Sequence, residues 1–114
     1  MKKICFALLL APLLAGCKSI PPPTPLEQLN AQQTRGYRVY QAHCAICHSD
    51  RTNKPLTGPA LRGIFKKEYL SSGAAATDER VSATILHGRN MMPAQANVID
   101  QQDLDDLLTY LHTL

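Results

Sequence analysis

Apolar and polar positions alternate in blocks along this chain, and the blocks predict helices. Behind Lys2 and Lys3, Ile4 to Leu14 form an apolar run, too short to span a bilayer as a mature helix. Ser19 to Pro25 holds Pro21, Pro22, Pro23 and Pro25. These exclude a helix or a paired strand and favour extended polyproline II. Leu26 to Ala42 reads as helix, with Gly36 and Tyr40 four apart on one face. A glycine there lowers helix propensity, so it wants a packing reason. Thr77 as N-cap, Asp78 and Glu79 in the first turn, Val81 and Ile85 on one face and Gly88 at the stop predict a helix over about Asp78 to His87. A last helix starts at Asp100, with Asp103 three residues on in a capping-box arrangement. Leu104, Leu107, Leu108 and Leu111 then follow at i, i+3, i+4 and i+7. Ile64, Phe65, Tyr69 and Leu70 are candidates for a small core between these helices, and Ser71-Ser72-Gly73 reads as a loop. No strand-like alternation, internal repeat or phosphate-binding glycine loop occurs. The pattern predicts one all-α domain.

Composition sharpens this. The positive start, apolar run and small Ala15-Gly16 end have the three parts of a secretory signal. Removing sixteen of 114 residues leaves 98, small enough for a bound cofactor to matter to the core. Trp is absent and aromatics make up only 5%, so a flat prosthetic group has space to fill. Without Lys2 and Lys3 the chain has ten basic and nine acidic residues, which is no nucleic-acid-binding excess. The charge is uneven. Arg51, Lys54, Arg62, Lys66 and Lys67 cluster in sequence, whereas no Lys or Arg follows Arg89. This run is either a solvated face or a basic rim that steers an acidic partner. Taking roughly 3 Å per residue, Lys18 to Leu26 as a free spacer would reach on the order of 25–30 Å.

Two stretches carry chemistry. Cys44-Ala45-Ile46-Cys47-His48 reads as a c-type haem attachment site. Thiols three residues apart, with an imidazole four after the first, fall on one side of a helical turn. Each thiol can add across one haem vinyl group while the imidazole reaches the iron. Cys5 lies in the leader and Cys17 at its end, so no thiol is left over for a disulfide. A thiol–disulfide oxidoreductase would need a βαβ scaffold that the pattern lacks. A zinc site would need a second ligand pair. His43 and His87 read as surface residues. The other stretch is Gly88-Arg89-Asn90-Met91-Met92-Pro93. A lone Met is usually a core gap-filler; here two stand at a helix stop, and either could offer a thioether.

A resemblance now becomes specific. Gly36-Tyr37-Arg38-Val39-Tyr40, then Cys44 to His48, then Thr57-Gly58-Pro59-Ala60-Leu61, then Met92-Pro93, and last Leu107-Leu108-Thr109-Tyr110-Leu111 resemble the class I monohaem c-type cytochromes over about residues 30–114. The resemblance implies the all-α cytochrome c fold, three to five helices wrapped around one covalent haem. Its first and last helices would cross where Gly36 meets Leu107 and Tyr110. It implies haem attachment at Cys44 and Cys47 and iron ligation by His48 and Met92. It also implies a hydrogen bond from the His48 ring to the Pro59 carbonyl, and Leu61 packed on the haem. Tyr69 is a candidate partner for a haem propionate. Leu14-Ala15-Gly16-Cys17 resembles the lipobox of bacterial lipoproteins. That likeness implies a cleaved signal over 1–16, a lipidated N-terminus with a Pro-rich tether over 17–29, and the cytochrome domain over 30–114. The lipid would sit on Cys17 and hold a periplasm-facing domain to the cell envelope, with Lys18 favouring the outer membrane.

The expected function is one-electron transfer by a membrane-tethered monohaem cytochrome, as a shuttle or as a subunit of a larger oxidoreductase. Its partners would be redox proteins, acidic around their docking site, and a lipid membrane; nucleic acid is not among them. The alternative is a haem-based gas sensor or a peroxidase-like enzyme with a labile Met ligand.

Overall fold

The structure is a computed structural model that describes Gly16, Cys17 and residues 19–114. The apolar leader with Cys5, and Lys18, lie outside the described residues. Three α-helices follow in order: α1 (Ala31–His43), α2 (Asp78–His87) and α3 (Gln101–Leu111). Single 3-10 turns occur at Leu26–Gln28 and Ile64–Lys66. Among the described residues pairing of the β type is confined to two isolated bridges.

Both later helices form where the sequence puts them, and for the expected reasons. Thr77 accepts from the Arg80 amide at the start of α2, and Gly88 ends it at φ 72°. Asp100 and Asp103 make a reciprocal capping box on α3. The first helix differs from the expected Leu26–Ala42. It starts at Ala31 because Asn30 and Gln33 form a capping box that satisfies its free amides.

Helices α1 and α3 cross in direct contact. A Cβ on Gly36 would overlap the Asp106 carbonyl oxygen and the Tyr110 Cβ. Gly36 thus lets two backbones meet, which is its packing reason, against Asp106 and Tyr110 rather than Leu107. Tyr110 is fully buried, and the rings of Tyr37 and Tyr40 stand 5.2 and 5.9 Å from it. Leu104, Leu107, Leu111 and Leu114 complete this side of the core. A side chain of this size contributes about 1.5–3 kcal/mol on full burial.

A buried carboxylate lies at the same crossing. Asp106 is 2% exposed, and Arg35 Nε donates to it at 2.7 Å. Gln102 Nε2 donates to its other oxygen at 3.0 Å. The periodic pattern does not reveal this pair, because Asp106 lies outside the stripe of Leu104, Leu107, Leu108 and Leu111 and reads as a solvated residue.

The Pro-rich stretch departs from the free spacer expected of it. It lies on the domain. The Thr24 amide donates to the Thr113 carbonyl at 2.8 Å, beyond the end of α3. Arg51 Nη2 donates to the Thr24 carbonyl at 2.6 Å. Pro residues keep their carbonyls free as acceptors, so an extended run of them can dock without becoming a strand.

Stability in acid should report the Arg35–Asp106 pair. The Arg35 hydrogen bond holds the Asp106 carboxyl below its ordinary value. A carboxyl lowered on folding stabilises the protein above its unfolded pKa of about 3.9. That contribution is lost as pH falls through the folded value. Acid titration followed by far-ultraviolet circular dichroism should show native protein losing stability below about pH 4 more steeply than Asp106→Asn. Curves that differ only by a constant offset would contradict this.

Candidate functional site

The turn after α1 presents the attachment motif. The Cys47 and His48 amides donate to the Cys44 carbonyl at 3.0 and 2.9 Å. Cys44, Cys47 and His48 all line a single cavity of about 670 Å³. Burial pushes the Cys44 thiol up to about 11, with the nearby Cys47 adding to the shift. A free thiol so placed stays protonated at neutral pH and is a poor nucleophile for disulfide exchange.

His48 is held from several sides. Its Nδ1 lies 2.7 Å from the Pro59 carbonyl oxygen. That oxygen can only accept, so Nδ1 carries the proton and Nε2 is left bare as a ligand nitrogen. A Cβ on Gly58 would overlap the imidazole. Gly58 is therefore where the following loop lies flat against the ring. The Gly58 amide donates to the Cys47 carbonyl, and the Leu61 amide to the Ser49 carbonyl, both at 2.7 Å. Leu61 lines the cavity.

Two tyrosines brace the segment around His48, and sequence reasoning missed both roles. Tyr40 Oη donates to the His48 carbonyl at 2.7 Å. Tyr110 Oη donates to Asp50 at 2.5 Å. Burial, then the Asp50 charge, pushes the Tyr40 phenol up to about 12. Burial and Asp50 raise Tyr110 further. Both hydroxyls therefore remain donors across the working range of pH. Their signal in the sequence was only that two core aromatics were Tyr rather than Phe, each needing a buried partner.

The opposite wall comes from α2 and the loop after it. Val81 and Ile85 turn into the cavity, facing Leu107 and Leu111 of α3. Arg89 and Met92 exchange backbone hydrogen bonds at 3.1 and 2.9 Å, closing a two-residue turn with Asn90 at φ 53°. This turn sets the two methionines apart, although both line the cavity. Met91 sits at its tip, 89% exposed, whereas Met92 is half-buried and packs on the core. Gly88 makes room, since a Cβ there would press on the Met92 carbonyl and the Ala94 amide.

The other residues singled out in the sequence divide between the surface and the cavity rim. His87 is exposed, His43 is half-buried, and neither lines the cavity. Tyr69 lines its rim while 56% exposed. Of the clustered basic residues, Arg51 turns to Thr24 and Lys66 bonds the Leu114 carbonyl. Lys67 remains at the cavity mouth, together with Arg89. The walls are mostly apolar, with two thiols, a bare imidazole nitrogen and a thioether among them. Volume and donor chemistry fit a covalently attached haem.

Three helices around such a cavity define a class I monohaem c-type cytochrome. A profile of the family described as cytochrome c oxidase, cbb3-type, subunit III matches residues 31–111. The chain belongs to that family and carries one covalent haem c; it is an electron-transfer protein rather than an enzyme. It is 27% identical to cytochrome c6 of Pyropia tenera over 71% of this chain and 91% of that one. With cytochrome c6 of Thermosynechococcus vestitus it shares 28% identity over 73% of this chain and 70% of the other. The solved structure of cytochrome c6 from the diatom Phaeodactylum tricornutum superposes with a TM-score of 0.55 at 22% identity. It covers 69% of this chain and 88% of its own. That likeness bears on the fold, which is all-α as expected.

The two close-packed glycines give a paired prediction. Gly58→Ala should tilt the His48 ring and weaken its bond to Pro59. Gly88→Ala should displace the Met92 turn and leave His48 alone. Shifts of the His48 ring protons and of the Met92 methyl group by NMR separate these effects. Equal disturbance of both residues by either variant would refute the assignment.

Proposed function

We propose that this protein moves single electrons through a haem held by Cys44 and Cys47, with His48 and Met92 as its two axial ligands. When bound, the haem supplies a one-electron iron couple. The chain supplies the rest. His48 offers Nε2 because Pro59 takes the Nδ1 proton. Met92 offers a soft thioether, which favours the reduced metal and raises the potential relative to harder ligand pairs. The apolar walls of Val81, Ile85, Leu107 and Leu111 exclude water. Two ligands held by a packed frame leave no open position and little to rearrange, as outer-sphere transfer requires. The observation that supports this reading is the two-residue turn that leaves Met92 half-buried against the core and Met91 89% exposed, while both line the cavity.

Partners would dock weakly at the cavity mouth, beside Lys67 and Arg89, and an acidic partner surface fits that rim. Cys17, exposed ahead of the domain, is the proposed lipid attachment, on the strength of the Leu14-Ala15-Gly16-Cys17 likeness. No helix among the described residues is long and apolar enough to cross a membrane. A place in the cell envelope, facing the periplasm, follows from this anchor. Service as a shuttle or as a subunit of a larger oxidoreductase are both compatible with it.

Optical spectra of protein matured in an exporting bacterium provide the test. Native protein should give denaturation-resistant haem, sharp low-spin reduced bands, the weak far-red band of Met on ferric iron, and no response to CO. Met92→Ala should keep the haem, lose the far-red band and bind CO. Met91→Ala should match native protein. Ready CO binding by native protein would turn the reading toward the sensor or peroxidase alternative.

The anchor has its own check. Cys17→Ser should move the protein from the membrane to the soluble fraction. Retention on the membrane would mean that something other than a lipid on Cys17 holds it.

A further inference from the structure

We propose that residues 20–24 are a docked strap that orients the domain at the bilayer, with the face around Gly63 and Lys66 turned to the lipid headgroups. This rests on the reading of Cys17 as the lipid attachment. The strap is tied at both ends. At its far end the Thr24 amide bonds Thr113, and Arg51 donates to the carbonyl oxygens of Thr24 and Pro23 at 2.6 and 3.5 Å. Arg51 Nη1 is buried without a hydrogen-bond partner. Lifting the strap would thus strip a half-buried guanidinium of the acceptors its other nitrogen has. At the near end Ile20 sits over Gly63, so closely that a Cβ on Gly63 would overlap the Ile20 methyl. Gly63 also adopts φ 68°, a conformation that suits glycine. Ser19, Ile20 and Pro21 line one groove with Lys66.

The consequence is geometric. From Cys17 to the first docked residue, Ile20, the chain spans three residues, about 10 Å at full extension. A lipid on Cys17 therefore cannot let the domain tumble on a long leash. It draws the Gly63–Lys66 face to the membrane surface. Lys67, the next residue, lines the haem cavity. The cavity rim at Lys67 is thereby held near the bilayer. Such an orientation fits a redox partner embedded in the same membrane.

The test uses full-length haem protein in native membranes, dried as oriented multilayers. Electron paramagnetic resonance of the ferric haem is recorded against tilt angle. Native protein should give an angle-dependent signal. The double variant Ile20→Ser with Thr24→Pro, which removes the apolar plug and the amide donor, should stay on the membrane, keep its optical spectrum and lose the angle dependence. An angle-independent signal from membrane-bound native protein overturns the proposal, as does an unchanged dependence in the double variant. The anchor is scored separately. Native protein found in the soluble fraction refutes lipid attachment, and the orientation with it. Hydrogen exchange at the Thr24 amide reads the strap in either case. It should be about ten-fold or more slower in native protein than in Ile20→Ser. Equal rates overturn the strap itself.

Discussion

The fold depends on a cavity that its own side chains cannot close. With nothing filling it, the mostly apolar lining of a space of about 670 Å³ would face water, which is unfavourable. The faces that α2 and α3 bury, Val81 and Ile85 against Leu107 and Leu111, meet across this space more than they meet each other. Covalent attachment is the solution that a chain with no Trp and two Phe can use. The haem acts as the missing aromatic core, and the two thiols place it in one register.

The frame around that cofactor is set from the α1–α3 crossing. Gly36 brings the helices into backbone contact, and this delivers Tyr40 and Tyr110 to the loop that follows the motif. Tyr40 then holds the His48 carbonyl, and Tyr110 holds Asp50. Folding energetics and ligand geometry are thus the same contacts. Phenols raised by burial keep their protons, so these bonds do not switch as the surroundings change pH.

Much of this was legible in the sequence because local rules carried it. Thr77, Gly88, Asp100 and Asp103 are caps whose partners lie three or four residues away. The helices followed from periodicity and caps, and the crossing at Gly36 from the family resemblance. The order of the attachment motif, Gly58-Pro59 and Met92-Pro93 pointed to the haem before any distance was known. Illegible were the features whose partners are remote. Arg35 meets Asp106 across 71 residues, and Tyr110 meets Asp50 across 60. No spacing rule reports such pairs. Composition also misled: a proline run reads as a spacer, and nothing local says that Arg51 and Thr113 will hold it. The basic cluster shows the same failure, since charges adjacent in sequence divide between inward bonds and the cavity mouth.

The two proposed ligands are held unequally, and this bears on how the protein works. His48 has its backbone fixed at two bonds, its ring bonded to Pro59, and Gly58 behind the ring. Met92 depends on one turn of two residues, whose tip Met91 stands in solvent. Pro93 limits the backbone on one side, and Gly88 gives way on the other. If the iron changes partners at all, it does so on the Met side, because opening that turn breaks two peptide hydrogen bonds and exposes little core. Opening the His48 side would disturb the α1–α3 crossing itself. An electron carrier and a ligand-binding sensor can therefore share this architecture down to the crossing. The stiffness of the Arg89–Met92 turn decides between them.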